Sequence, residues 1–315
     1  MAFWTPTYVV KANSKIQSVY TGSYEAAKQN NWADKLISTV PVESYQQIND
    51  MMIETLTITE ESGRETLSDL KSKPIVIESK RFSGGFKIRE IDFLSLPQMA
   101  SGLTRYTEAA GQLGAEAALF GQRLGLKFFA NGLTTNGLDG VPFFSASHPT
   151  DFSSALNGTY TNYETAKALT AENFAAAVAQ LETRVMPNGT SRNLRAKYLF
   201  HSPQLKLKAR EVTGAQFLAK TGGGTSSNVL VDYDVIPVSV PGLPAKWWGV
   251  MAENVSPSGI NRAIGIGVLQ DFSIADFSDI TSYTLRQSSE LACSAKGHIG
   301  GFYAWPYLIH LCVEP

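Results

Sequence analysis

Apolar and polar residues change rhythm several times along the chain, and each change marks an element. Between Pro97 and Gly132, the residues Met99, Leu103, Tyr106, Ala110, Leu113, Ala117, Phe120 and Leu124 follow one another at alternating steps of four and three. That is the seam of a helix packed along its length. Ser95 stands near its cap, Pro97 in its first turn and Gly132 past its end. The predicted helix of about 34 residues, at 1.5 Å each, is roughly 50 Å long. A second stripe, Gly111, Gly114, Ala118, Gly121 and Gly125, runs along another face with almost no side chain. Each interior glycine costs about 1 kcal/mol against alanine, so close backbone approach by another element is favoured over mere tolerance. Arg105, Glu108, Glu116, Arg123 and Lys127 interrupt the apolar run, which excludes a membrane-embedded dimerisation face.

Before this helix the pattern is different. Residues 1–53 mix isolated aromatics (Trp4, Tyr8, Tyr20, Tyr24, Trp32) with Asn, Gln and Ser and hold no sustained period of 2 or 3.6, which predicts an extended arm docked through its aromatics. In 54–93 acids and bases crowd together in near balance. The β-prone runs LTIT at 56–59, IVIES at 75–79 and FKIREIDF at 86–93, broken at Gly63 and at Gly84-Gly85, predict a long hairpin. It is read either as a solvated surface hairpin or as an arm laid across a neighbouring subunit. Removal of residues 60–88 is therefore expected to leave a folded chain.

After the helix, TTNGLDGVPFFSASHPTDFSSALNGTYTN is a long irregular connection. Thr170 then caps AENFAAAVAQLETRV, where Phe174, Val178, Leu181 and Val185 repeat at four, three and four. Tyr198-Leu199-Phe200 reads as a buried strand, Ser202-Pro203 as the start of another helix, and TGGGTSS at 221–227 as a flexible loop. NVLVDYDVIPVSVPG, KWWGVMAE, AIGIGVL, ITSYTLRQS and YAWPYLIHLCV read as strands. The fold class expected is α+β.

Composition sharpens this. At 315 residues the chain exceeds what one core usually serves, so two lobes or one lobe with long extensions are expected. Charged residues make up only 17%, a depletion that suits a surface buried against copies of itself. With a formal net charge of −1 and no Lys/Arg run, tight electrostatic binding of nucleic acid is not supported. Cys293 and Cys312 are too few for a disulfide framework and lack metal-ligand spacing, so they read as buried thiols. The N-terminus has no basic-then-apolar leader pattern and no stretch of about 18 apolar residues follows, so synthesis in the cytosol is expected.

No chemistry emerges from the motifs. His148, before Pro149, reads as a loop-fixing residue, and His201, His298 and His310 form no recognisable cluster with Cys or carboxylates. Asp139, beside Gly140, reads as a turn former. Neither Thr221-Gly222-Gly223-Gly224-Thr225 nor GIGIGVL has the context of a phosphate loop, and no GxSxG elbow occurs. No catalytic, cofactor-binding or metal-binding residue is assigned, and no cofactor is expected.

One stretch does carry a family pattern. LKFFANGLTTNGLDGVPFFSASHPTD at 126–151 holds Asp139-Gly140, then Val141-Pro142-Phe143-Phe144-Ser145, then His148-Pro149. In this it resembles the major head subunits of tailed phages, especially the Mu-like group. YLFHSPQLKLKARE at 198–211, VIPVSVPGLPAKWWGVMAE at 235–253 and SYTLRQSSELACSAKGHIGGFYAWPYLIHL near the C-terminus are similar to the strands and helix of that family's two shell domains. The resemblance implies a Hong Kong 97-type capsid fold. Its parts would be an N-terminal arm (1–53), an extended loop (54–93), the spine helix with part of a peripheral domain (94–169), an axial domain (170–255) and closing peripheral strands (256–315). It further implies a non-enzymatic subunit whose hexamers and pentamers form an icosahedral head. That head would enclose double-stranded DNA without sequence-specific binding, with no membrane, and would be assembled in the host cytoplasm. A separate scaffold, a portal and decoration proteins are the implied partners. Where relatives crosslink a loop Lys to a neighbour's Asn, Lys71, Lys73 and Lys80 are the possible donors here, without a visible matching site. An encapsulin-like nanocompartment shell on the same fold is the alternative, and an enzyme or carbohydrate-binding protein with a β-rich lobe a more distant one.

Overall fold

A computed structural model describes residues 6–29, 31–52, 72–89, 99–152, 154–214, 217–219, 225–227, 233–254, 259–275 and 290–315. Helix α1 (Pro6–Lys28) is followed by a single turn α2 (Ala33–Leu36), strands β1 (Ile37–Pro41), β2 (Gln46–Met52), β3 (Ser72–Glu78) and β4 (Lys80–Arg89), and the long helix α3 (Met99–Asn131). Then come β5 (His148–Asp151), β6 (Ser154–Tyr160), β7 (Tyr163–Glu164), α4 (Ala171–Glu182), β8 (Ala196–His201) and α5 (Lys206–Gly214). The remainder is β9 (Phe217–Ala219), β10 (Thr225–Ser227), β11 (Ile236–Ser239), β12 (Trp247–Ala252), β13 (Ile264–Ile274), β14 (Glu290–Tyr303) and β15 (Ile309–Val313).

Two sheets organise the molecule. The first is four-stranded, in the order β1-β13-β14-β4, and the second five-stranded, in the order β11-β8-β12-β15-β7. In the first sheet consecutive residues point to opposite faces, and Gly300 and Gly301 show what lies on each. A Cβ at Gly300 would stand 2.0 Å from the Glu78 carbonyl oxygen, and one at Gly301 would stand 2.0 Å from the Phe128 ring. The sheet is thus sandwiched between β3 on one side and α3 on the other, and both neighbours press against bare backbone. In the second sheet every residue of β12 is buried, with α4 and α5 packed on the sheet.

Helix α3 is the element the periodicity described best. Tyr106, Ala110 and Ala117 are buried, and Leu113, Phe120 and Leu124 pack against the core, as the seam requires. Its end inserts the fully buried Phe129 among Trp32, Phe144 and Phe200. Thr170 caps α4 by accepting from the Asn173 amide, and Phe174, Val178 and Leu181 turn inward while Val185, beyond the helix end, is 40% exposed. The glycine stripe does meet another element. A Cβ at Gly114 would lie 2.4 Å from the Tyr20 carbonyl oxygen, and one at Gly125 would strike the Ile37 side chain.

The element over Gly114 is α1 and the one beside Gly125 is β1, and the helix corrects the extended arm expected for residues 1–53. Residues 6–28 are helical, and Leu36, Ile37, Val40 and Val42 belong to the core. Ile16 and Tyr20 supply the apolar contact of α1, but the partner face is Gly and Ala, so no bold stripe of large residues was needed to build it.

The hairpin of 54–93 is corrected as well. β3 pairs with β2, from Gln46↔Glu78 to Met52↔Ser72, and β4 leaves that ribbon to pair with β14 in the first sheet. Gly84-Gly85 lies inside β4 and forms no turn, because a Cβ at Gly85 would stand 2.3 Å from the Cys293 carbonyl oxygen. LTIT, Gly63 and ITSYTLRQ lie outside the described residues. Beyond residue 255 the chain passes from the second sheet to β13 and β14 of the first, and only β15 returns to the second sheet, between β12 and β7. One hydrophobic core, from Trp32 to Cys312, joins both sheets instead of separating two lobes. A smaller cluster under α1 holds Ile16, Tyr20, Ile88, Tyr106, Ala110 and Cys293.

Candidate functional site

The ribbon of β2 and β3 has two unlike faces. Toward the body, Ile75 and Ile77 are 1% and 0% exposed and belong to the main core. The Lys73 ammonium donates to the Phe152 carbonyl at 3.1 Å, so one of the possible crosslink donors is tied to its own subunit. On the outer face Ile48 and Val76 are paired directly across the strands and remain 63% and 45% exposed, with Tyr45, 61% exposed, at the strand entry. A cross-strand β-branched pair gains its stabilisation from contact with neighbours on the same face. Here both side chains stay largely exposed, and the two residues form an apolar patch on an element anchored from behind.

The stretch that carried the family pattern is a clasp at the end of α3. Phe144 donates its amide to the Gly132 carbonyl at 2.8 Å, and a Cβ at Gly132 would run into the Phe144 ring. Gly140 has φ +83°, which glycine adopts readily, and Asp139 turns back to accept from the Val141 amide. The other Asp139 carboxylate oxygen meets His148 Nδ1 at 2.5 Å, both side chains being fully buried. His148 stacks on Tyr160, and the Arg184 guanidinium lies 5.0 Å from the centre of that ring. Arg184 donates to the carbonyls of Tyr307 (2.6 Å), Ile309 (3.0 Å) and Thr161 (2.8 Å). Asn162 donates to the Phe143 and Pro306 carbonyls. Burial, the largest effect, pushes Arg184 down to about 10, so it keeps its charge at neutral pH and satisfies it on backbone oxygens. Both His148 as a loop-fixing residue and Asp139 as a turn former hold as expected, joined by a buried His-carboxylate contact that no sequence motif marks.

The other histidines disperse. His201, pushed down by burial, contacts the Ser202 carbonyl oxygen through Nδ1. His298 sits beside Gln270 and Tyr45. His310, however, comes together with Glu164 and Cys312, their side-chain N, O and S atoms all lying within 4.8 Å of one another. Sequence spacing hid this group. His310 and Cys312 alternate on β15 and so share a face, while Glu164, far away in sequence, is brought in by the Cys312↔Glu164 register of β15 with β7.

Residues 75–287 match a family model described as phage capsid protein. The chain belongs to the phage capsid protein family. No curated protein matches it in sequence. Among solved structures, the capsid structure of the cyanophage P-SCSP1u shares its fold at a TM-score of 0.52 and 12% identity, over 89% of this chain and 86% of the other. Microbacterium phage Oxtober96 does so at 0.50 and 13%, over 90% of each chain. The bacteriophage JBD30 capsid is similar at 0.48 and 11% over 89% of this chain, which spans 63% of that capsid chain. The α+β fold expected from the sequence is therefore that of phage capsid chains.

Proposed function

We propose that the protein is the major capsid subunit of a tailed phage of the Mu-like head group, with a Hong Kong 97-type fold. Its hexamers and pentamers close an icosahedral head around double-stranded DNA, assembled in the host cytoplasm on a separate scaffold and completed by a portal and decoration proteins. The subunit performs no catalysis. The observation that carries this reading is the ribbon whose inner face is locked into the core while its outer face offers Ile48 and Val76 to solvent. A patch of that size is weak alone, and a closed shell repeats it at every subunit, so binding energy accumulates by multiplicity. The near-neutral chain suits a wall that encloses DNA without gripping it. Lys73, held by the Phe152 carbonyl, drops out of the possible donors, and with no matching Asn site in the sequence boiled shells should run as single subunits.

The test replaces the outward pair. Ile48→Asp with Val76→Asp adds two like charges on an exposed face, which should leave the subunit folded but abolish shells in electron micrographs of protein made with its scaffold. Shells of normal appearance from this variant would overturn the role given to the ribbon, and a wild-type chain that stays monomeric beside its scaffold would overturn the capsid reading. Shells filled with a copurifying enzyme in place of DNA would replace the head with a nanocompartment. Removal of 60–88 is no longer a usable test, because it takes Ile75, Ile77 and Ile88 out of the core.

A further inference from the structure

We infer that Glu164, His310 and Cys312 form a binding site for a borderline-soft divalent cation of the zinc class, fastening β7 to β15. The site is independent of the shell contacts and nothing in the assembly reading requires it. Zinc takes thiolate, imidazole and carboxylate ligands at about 2.0–2.3 Å in a tetrahedron, which places ligand atoms about 3.6 Å apart. His310 Nε2 and Glu164 Oε2 already stand 3.8 Å apart, and the three ligand atoms lie within 4.8 Å of one another, so side-chain adjustment of about an ångström closes the site.

Three further observations point the same way. His310 is fully buried and its Nε2 has no hydrogen-bond partner. A buried polar atom left in that condition ordinarily costs about 1–3 kcal/mol, and a cation supplies the missing partner. The opposite ring nitrogen, Nδ1, lies 3.3 Å from Arg184 Nη2, which itself donates to the Thr161 carbonyl at 2.8 Å. A metal at Nε2 places the ring proton on Nδ1, with the neighbouring Thr161 carbonyl as its acceptor, and the Arg184 guanidinium, a donor only, then directs its N–H groups to the backbone carbonyls it already serves. The carboxylate is also positioned from outside, since Gln180 donates to Glu164 Oε1 at 3.0 Å and Lys167 lies 3.7 Å from Oε2.

Charge favours a divalent ion. A thiolate, a carboxylate and a neutral imidazole around a 2+ ion sum to zero, which a buried site beside the Arg184 cation accommodates. The thiolate sulfur selects zinc or cobalt over magnesium or calcium, which prefer oxygen. Glu164, whose side chain keeps 23% exposure, is the way in from solvent and leaves room for water as a fourth ligand. Cys293 takes no part, since it belongs to the separate cluster under α1.

The experiment uses the full-length protein, freed of metal by a chelator and titrated with zinc chloride or cobalt chloride alone. Binding of about one ion per chain is expected, with a thiolate-to-cobalt charge-transfer band that zinc displaces. Cys312→Ser should lose the band and Cys293→Ser should keep it. If no ion binds, or if the band survives Cys312→Ser, the inference is wrong. Should Cys312→Ser fail to fold, Glu164→Gln serves instead, because it removes one ligand charge at the solvent side. A fall in zinc affinity of at least about tenfold supports the site, and unchanged affinity refutes it.

Discussion

The two halves of α3 hold their neighbours in opposite ways. The N-terminal half lies under α1 and offers Ala110, Gly114 and Ala117 to Ile16 and Tyr20, so backbone meets backbone. A small apolar cluster that includes Tyr106 and Ile88 closes this contact, and the Tyr20 hydroxyl is buried without a hydrogen-bond partner, its pKa pushed up to about 12 by burial and then by Asp271. The C-terminal half ends in aromatic rings, with Phe120 against Phe82 and Phe272, Phe128 against Tyr303, and Phe129 against Trp32, Phe144 and Phe200. The first contact fixes position through shape at small energetic gain, and the second supplies the energy that keeps the helix attached to both sheets.

Substitutions can break this contrast. The largest effect should come from Phe129→Ala, which empties a fully buried site and should cost about 3–5 kcal/mol in denaturant unfolding of the unassembled subunit. A loss below about 1 kcal/mol would show that the aromatic end is not the anchor. Next comes the seam. Gly114→Leu should destabilise by about 1–3 kcal/mol, as overpacking against a backbone carbonyl does. Gly121→Ala, where the nearest atom to a new Cβ is Ile266 Cδ1 at 3.8 Å, should stabilise by about 0.5–1 kcal/mol, the helix-propensity gain alone. Equal responses at the two glycines would remove the close-approach argument.

The smallest effect depends on pH and lies at the tie between the second sheet and the chain entering β1. Glu253 is pushed up by burial, but hydrogen bonds from Lys197 and Arg262 outweigh that and hold it below its ordinary value of 4.5. Arg262 in turn donates to the Lys35 carbonyl, linking the second sheet to the chain entering the first. Because the folded pKa is the lower one, the stabilisation is present above about pH 4.5 and is lost as pH falls through the folded value. Denaturation followed from pH 7 to pH 3 should show a shallower acid decline in Glu253→Gln than in the parent chain.

What could be read from the sequence follows the same physics. α3 and α4 announce themselves because large apolar residues repeat against a packed core, with Thr170 at a cap. α1 does not, because its partner is a stripe of glycine and alanine and its own face includes the polar Asn13. Gly84-Gly85 resembles a turn for a related reason, since a glycine pair demanded by a crossing neighbour is indistinguishable in sequence from one demanded by a bend. The clasp was visible as a pattern in Asp139-Gly140 and His148-Pro149, but its completion by Tyr160, Arg184 and Asn162 depends on contacts distant in sequence. The Glu164, His310 and Cys312 group was invisible for the same reason, although the His-x-Cys spacing in an aliphatic strand is a usable hint.

The back-to-back glycines of β14 bear on the ribbon at long range. From Ser72 to Glu78 the strand extends about 20 Å, and Gly300 touches it only at the Glu78 end. That contact works as a fulcrum. Any side chain at position 300 would lift the near end by an atom's width, and the displacement would grow along the arm toward the Met52 and Ser72 end. The seat of the ribbon on the first sheet is thus set by the absence of a side chain at one position of β14.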